Sequence, residues 1–348
     1  MRAPEDALTS GLRFATEALA LANIPSLATL ARSPIGASPQ VHTPAWKTRV
    51  YRDQLVGWDF DDVREHYVAR LFGVDPVALR SSDPARHLLL GRLASAELMA
   101  RSFTLWRSAD SSCGGALIWY LRDLWAGAGC GVLDDQGEAK SAFHALHRVL
   151  QPVFAGWVDA GLNGLKLHFV NETNQPVKGL AEVMLYQHGE VLVAQGQREL
   201  ELLPRGRAQH TVVDWLDGWM DTTWAYRFGP RAFDLAVLRW RDAQGGLLAQ
   251  AMHVDPKDMP VFQGHPGLQG RAVRLDDGRV QVDFSTRAAA YGVHFDVTGW
   301  RVSDEFFHLP PGGQHTVFFT PCRPQAHWHA AVCAVNARQW TSLLLTHA

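Results

Sequence analysis

The sequence has few cysteines, and their spacing matches no metal-binding pattern. The 348 residues include Cys113, Cys130, Cys322 and Cys333, and no two of these have the CxxC spacing of zinc or redox sites. Four cysteines in a chain of this length do not form the dense disulfide framework of small secreted domains. We therefore expect free, mostly buried thiols, no metal site and no cofactor.

Several other sequence signals are also missing. The formal net charge is −2, and this near-neutral balance argues against a nucleic-acid partner, which requires a basic surface. No uncharged apolar run reaches the length of about 18 residues that a membrane span needs. The first residues lack the pattern of a secretion signal, so we expect a cytoplasmic protein. The sequence has no Walker loop, no GxGxxG motif after a predicted strand and no GxSxG motif.

The predicted secondary structure changes from mainly helical to mainly β near residue 155. Before it, helical patterns dominate, and we predict helices over 59–72, 86–106 and 141–150. Two short, nearly continuous apolar runs, Gly11–Thr16 and Gly114–Leu121, are each followed by helical sequence. Such runs are typical of parallel strands buried on both faces. The order of strand and helix predicts βα units.

After residue 155 the sequence favours short strands separated by turn residues. The segments 242–246 and Asp277-Gly278 have the composition of hairpin turns. Two blocks of regularly spaced strands predict two immunoglobulin-like β-sandwiches. We therefore expect a multi-domain α/β plus all-β chain, with boundaries at 1–155, 156–260 and 261–348.

Three co-linear segments resemble glycoside hydrolase family 2, in its β-mannosidase-like branch. They are Arg13–Pro25, similar to the end of the seventh barrel strand, Cys113–Trp125, similar to the eighth strand and its loop, and Ser303–Gly312, similar to a turn in the last sandwich domain. The segments Trp58–Phe60 and Ala225–Pro230 also fit the family. The resemblance implies that residues 1–155 are the last βα units of a partial (β/α)₈ barrel.

The resemblance also implies roles for particular residues. Glu17 matches the family's nucleophile, preceded by Thr16 at the place of a small or hydroxyl residue; alone, such a glutamate would be read as an acid at a helix start. Trp119 and Trp125 are candidate sugar-stacking residues or packing residues, and Asp123 is a candidate ligand of a sugar hydroxyl or a turn acid. Arg122 stands where the family often has Asn, in conflict with a sugar contact at that position.

The second catalytic carboxylate is not identified. The family places its acid/base in an Asn-Glu pair, but Asn171-Glu172 follows the barrel part and has ordinary turn composition. A complete barrel takes about 250 residues, so another polypeptide would have to supply the first strands, or the chain is a remnant. The function implied is retaining hydrolysis of terminal β-D-mannosides when the barrel is complete. The alternative is a non-catalytic carbohydrate-binding or structural module.

Overall fold

The structure is a computed structural model that describes residues 1, 3, 5–6, 10–36, 39–223, 231–255, 257, 266–323 and 326–346. Helices come first in the chain, and strands follow. The helices are α1 (Leu27–Ala31), α2 (Pro44–Lys47), α3 (Phe60–Phe72), α4 (Pro76–Ser82), α5 (Pro84–Trp106) and α6 (Ser141–Val149). The predicted segment 225–230 lies outside the described residues, as does the predicted boundary at 260.

Local sequence signals explain the two long helices. The Asp59 side chain accepts hydrogen bonds from the N–H groups of Asp61 and Asp62, and the Asp62 carboxylate accepts the Asp59 N–H, which forms a capping box. The helix ends at Gly73, whose positive φ of 64° suits glycine. Asp83 caps α5 by accepting from the Arg86 N–H. The predictions of these two helices are confirmed.

Strands β1 (Ala15–Ala18) and β2 (Ala116–Ile118) form a small parallel sheet. Ala15 pairs with Ala116 and Ala18 with Ile118, across an irregularity in register. Both strands are shorter than predicted, and β1 begins later than expected, at residue 15 rather than 11. In the described chain, no further strand pairs with either outer edge.

The first β-sandwich contains two antiparallel sheets around a shared apolar core. Its sheets have the strand orders β3-β4-β7 and β6-β5-β8-β9. The strands are β3 (Val153–Asp159), β4 (Leu165–Asn171), β5 (Val177–Gln187), β6 (Val191–Leu202), β7 (Arg207–Thr211), β8 (Leu235–Arg241) and β9 (Leu247–Val254). Because β3 begins at Val153, the predicted boundary at 155 falls inside a strand. Phe169, fully buried, stacks on Trp215 at the centre of the core.

The second β-sandwich has the sheet orders β13-β15-β11-β10-β18 and β14-β12-β16-β17. Its strands are β10 (Gln269–Arg274), β11 (Val280–Ser285), β12 (Ala290–Val297), β13 (Trp300–Val302), β14 (Phe307–Leu309), β15 (Gln314–Pro321), β16 (Ala330–Cys333), β17 (Thr341–Ser342) and β18 (Leu345–Thr346). Asp277-Gly278 lies in the turn between β10 and β11, as predicted. A separate apolar core fills the space between the two sheets.

The helical layer is fastened to the second sandwich by charged contacts. Arg148 of α6 pairs with Asp304 and donates to the backbone carbonyls of Glu305 (3.0 Å) and Phe306 (3.2 Å). These contacts join α6 to residues 304–306 of the Ser303–Gly312 segment. On α5, Glu97 accepts a hydrogen bond of 2.8 Å from His308 Nε2.

The chain is mostly β with few helices, in agreement with the coarse fold prediction. Among the described residues, no helix combines the length and apolar character needed to cross a bilayer. The four cysteines are free, and all except Cys322 are buried, as the sequence predicts.

Candidate functional site

Glu17 lies near the C-terminal end of β1, and its side chain is exposed. Strand β2 runs beside it, and the Trp119 N–H donates to the Ala18 carbonyl over 3.0 Å. Among the described residues, the Glu17 carboxylate makes no hydrogen bond or ion pair. The sheet therefore presents a free carboxylate at the ends of two parallel strands, the position where catalytic groups gather in βα barrels.

One face of this small sheet packs on the helices, and the other is bare. Ala116 and Ile118 contact the apolar core that α3, α5 and α6 share. Leu117 and Trp119 point the opposite way and are 57% and 45% exposed. Because side chains alternate along a strand, these two residues share a face. Exposed apolar residues here mark a surface that would be interior in a closed barrel.

Trp125 lies in the loop between β2 and α6. Its ring is 36% exposed and packs against Tyr51 at a centroid distance of 5.3 Å. Tyr120 contacts the same Tyr51 ring edge-on at 5.7 Å, and Trp119 packs edge-on against Tyr120 at 5.5 Å. A chain of four aromatic rings therefore joins both predicted tryptophans. Each keeps part of its surface open, which a sugar-stacking residue needs.

Asp123 differs from the other predicted residues because it is buried. Its carboxylate pairs with Lys140 Nζ and accepts the Gly131 N–H over 2.8 Å. Burial raises the pKa of Asp123 and lowers the pKa of Lys140, while the attraction between the two charges opposes both shifts. A sugar hydroxyl would have to compete with partners that Asp123 already has within the chain.

A second catalytic carboxylate is not seen against Glu17 within the described residues. Glu172 lies just after β4, in the first sandwich, and pairs with Arg107 over 3.1 Å. Asn171 builds the turn there, because its side-chain oxygen accepts the Thr173 N–H over 3.0 Å. These contacts agree with reading Asn171-Glu172 as turn chemistry.

His42, Asp61 and Glu65 form a cluster that was not predicted from the sequence, and their side-chain nitrogen and oxygen atoms lie within 4.8 Å of one another. Protein cations occupy its carboxylates: Arg64 pairs with Asp61, and Arg80 lies 3.5 Å from Glu65. Burial raises the pKa of Glu65, but hydrogen bonds from neighbouring histidines and the Arg64 charge outweigh burial and lower it. The cluster is an ion-pair network linking the α2 region to α3.

A cavity of about 600 Å³ lies elsewhere, where α5 and α6 meet both sandwiches. Glu97, Arg101, Trp157, Tyr291 and His308 are among its lining residues. It includes neither Glu17 nor the predicted tryptophans. Since the bare sheet face lacks the walls that further strands would provide, the predicted site is an open surface and not an enclosed pocket.

The chain was compared with family models, curated proteins and solved structures. No family model matches the chain. Over 263 residues, 70% of the chain, it is 34% identical to β-mannosidase B of Aspergillus fumigatus and 23% identical to that of Aspergillus clavatus. The chain spans about 30% of the length of each of these relatives.

Solved structures share the fold at low sequence identity. The β-D-mannosidase of Dictyoglomus thermophilum superposes with a TM-score of 0.70 at 13% identity, covering 97% of this chain and 39% of that one. The exo-chitosanase of Amycolatopsis orientalis gives 0.69 at 14% identity, covering 98% and 44%. The curated relatives show that the chain is related to the β-mannosidases of glycoside hydrolase family 2. The solved structures show that it shares the fold of the C-terminal region of such enzymes.

Proposed function

We propose that this chain is the C-terminal portion of a retaining glycosidase that hydrolyses terminal β-D-mannosides, with Glu17 as its nucleophile. The observation that carries the proposal is the free, exposed Glu17 carboxylate near the end of β1, next to Ala18, whose carbonyl accepts the N–H of the exposed Trp119. The two parallel strands are the last of a (β/α)₈ barrel, and the sheets that follow form two immunoglobulin-like domains.

In the proposed reaction, a Glu17 oxygen bonds to the anomeric carbon as the glycosidic C–O bond breaks. A second carboxylic acid protonates the leaving oxygen. Water then attacks the glycosyl-enzyme, the second group takes the proton of that water, and Glu17 is released as a carboxylate. The two carboxyl groups must lie about 5–5.5 Å apart.

The second group belongs to a partner in this proposal. The partner is a polypeptide segment, on the same or another chain, that carries the earlier barrel strands. Both edges of the β1–β2 sheet are unpaired within the described chain, and the matched region spans only 30% of the length of the curated relatives. Leu117, Trp119 and Leu121, the last 63% exposed, provide apolar surface for such strands to cover.

The direct test combines the chain with a polypeptide carrying the first six barrel strands of a family member. We expect the mixture to hydrolyse p-nitrophenyl β-D-mannoside and to lose this activity on Glu17→Gln. A 2-deoxy-2-fluoro-mannosyl fluoride should label the peptide that contains Glu17. Glu172→Gln is the matched control and should leave turnover unchanged.

Two outcomes would contradict the proposal. Turnover that survives Glu17→Gln would remove the nucleophile assignment. Binding of mannosides by the complemented protein without any turnover or labelling would favour the alternative function, a non-catalytic carbohydrate-binding module.

A further inference from the structure

The loop that carries Trp125 is held by one buried amino group. It runs from the end of β2 to the start of α6, over residues 119–140. Lys140, at the end of the loop, is buried, and its ammonium reaches Asp123 at the beginning of the loop. The same ammonium donates to the Gly129 carbonyl over 3.3 Å. Trp125 therefore lies between two points of attachment to one side chain.

The third acceptor of Lys140 joins the loop to the segment that follows the strand carrying Glu17. Lys140 Nζ donates to the Asn23 backbone carbonyl over 2.9 Å, six positions beyond Glu17. The buried Asn23 side chain in turn donates to the carbonyls of Cys130 (2.9 Å) and Gly131 (3.2 Å). The two segments of the candidate site are thus joined by side-chain to backbone bonds away from the sheet itself.

Glycines make this arrangement possible. A Cβ on Gly129 would lie 2.4 Å from an Asp123 carboxylate oxygen, and one on Gly131 would lie 2.5 Å from it. Contacts this short do not occur, so the loop wraps the carboxylate only because these positions carry no side chain. The loop backbone, Asp123 and Lys140 are therefore fitted to one another.

We propose that Lys140 is a positioning residue for the candidate site: acting through Asp123, Gly129 and Asn23, it fixes Trp125 relative to Glu17. Asp123 then serves as the loop anchor and not as a direct sugar ligand. The role of Trp125 at a sugar rests on the proposed function. The position of its ring does not, and it can be measured in the chain without turnover.

The first measurement is ¹⁹F NMR of the chain labelled with 5-fluorotryptophan, with the Trp125 signal assigned from Trp125→Phe. We expect Lys140→Met to displace or broaden this signal and to leave those of Trp240 and Trp300, buried in the two sandwiches, unchanged. Lys166→Met is the control, because Lys166 pairs with Asp110 at a half-open site beside the first sandwich. It should leave the Trp125 signal in place.

Two further variants keep the test decisive if Lys140→Met does not fold. Asp123→Asn with Lys140→Met leaves no buried charge but still lacks the ammonium, so the Trp125 signal should stay displaced. Asp123→Asn alone lowers stability because Lys140 loses its buried counter-charge, but it keeps the amino group, its carbonyl acceptors and an amide oxygen in place of the carboxylate. The Trp125 signal should therefore lie closer to that of the unaltered protein than it does in the double variant. A Trp125 signal unmoved by the double variant, or tryptophan signals that all move together, would overturn the proposal.

The kinetics of the complemented enzyme distinguish positioning from stabilisation, because a Lys140 that only stabilised the fold would not affect KM. We expect the double variant to lower kcat/KM for p-nitrophenyl β-D-mannoside by about tenfold or more, mainly through KM, since Trp125 would contact the sugar in the ground state as well as in the transition state. An unchanged KM would overturn the positioning role. If the double variant displaces the Trp125 signal but the unaltered complemented protein shows no turnover, the role of Lys140 in the loop is supported. The proposed function is then contradicted.

Discussion

The two sandwiches and the β1–β2 sheet differ in how far their apolar side chains are buried. Each sandwich closes its own core between two sheets, with Phe169 fully buried in the first and Phe284 in the second. The β1–β2 sheet covers one face with helices and leaves Leu117 and Trp119 open on the other. The apolar cores between the sandwich sheets are therefore covered within the described chain, whereas one face of the β1–β2 sheet is not.

The βα region and the sandwich cores also differ in their buried charged groups. Buried ion pairs fasten the loops and helices of the βα region, as in Asp123–Lys140 and Asp61–Arg64. The cores between the sandwich sheets contain mainly apolar side chains. Buried pairs contribute little net stability, but breaking one is costly because a buried charge is left alone. This difference indicates that geometry near the candidate site is set by specific polar contacts.

The largest effect on stability is expected in the sandwich core. Phe169→Ala removes a ring that packs on Trp215 and Trp240, and should lower the free energy of unfolding of the first sandwich by about 3–5 kcal/mol. Urea unfolding followed by tryptophan fluorescence measures this loss. Phe14→Ala is the matched change next to the open sheet, just before β1, where the ring is 49% exposed and the cost should be much smaller. A comparable cost there would mean that the sheet is a closed core after all.

A smaller, pH-dependent effect is expected where α5 meets the second sandwich. Burial raises the pKa of Glu97, but the hydrogen bond from His308 and the charges of His308 and Arg101 outweigh it and lower the pKa from 4.5 to about 2. A carboxylate with a lowered folded-state pKa stabilises the fold above its unfolded pKa, and this contribution is lost as the pH falls toward the folded value.

Glu97→Gln should therefore lower the free energy of unfolding by about 1.5–3 kcal/mol near neutral pH. The difference from the unaltered protein should shrink as the pH falls from 4.5 toward about 2. Thermal unfolding across this range measures it. The exposed pair of Glu199 with Lys178 supplies the control, Glu199→Gln. A difference that stays constant with pH would refute the charged contact.

The smallest effect on stability is expected on the bare face. Leu117→Ser should change the free energy of unfolding of the isolated chain by about 0.5 kcal/mol or less, because the side chain is already 57% exposed. The same change should strongly weaken binding of the complementing barrel segment, since it places a hydroxyl in an apolar contact. Titration calorimetry with that segment measures the loss. Unaltered binding would show that this face is not where the strands dock.

The parts of the fold with local signals could be predicted from the sequence. Asp59 and Gly73 mark the ends of α3, and Asp277-Gly278 marks a hairpin, because capping and turn chemistry depend on neighbouring residues. Strand β12, Ala290–Val297, was not predicted. It is buried through most of its length because Ala290 and Val293 face the sandwich core while Tyr291 lies in the core shared with the helices. Its sequence therefore lacks the alternation that identifies a half-exposed strand.

The candidate site was predictable only in part, for a related reason. The place of Glu17 follows from a short motif at a strand end. The pairing of Asp123 with Lys140 does not, because the two residues are 17 positions apart across an irregular loop. Only the path of that loop around Gly129 and Gly131 brings them together, and no local pattern encodes such a path.

Turnover of p-nitrophenyl β-D-mannoside by the isolated chain tests the central claim most directly. Because this chain supplies Glu17 but, among its described residues, no carboxyl partner beside it, we expect no measurable hydrolysis by the unaltered chain. Hydrolysis that disappears on Glu17→Gln would contradict the account, because both catalytic carboxylates would then lie within these 348 residues.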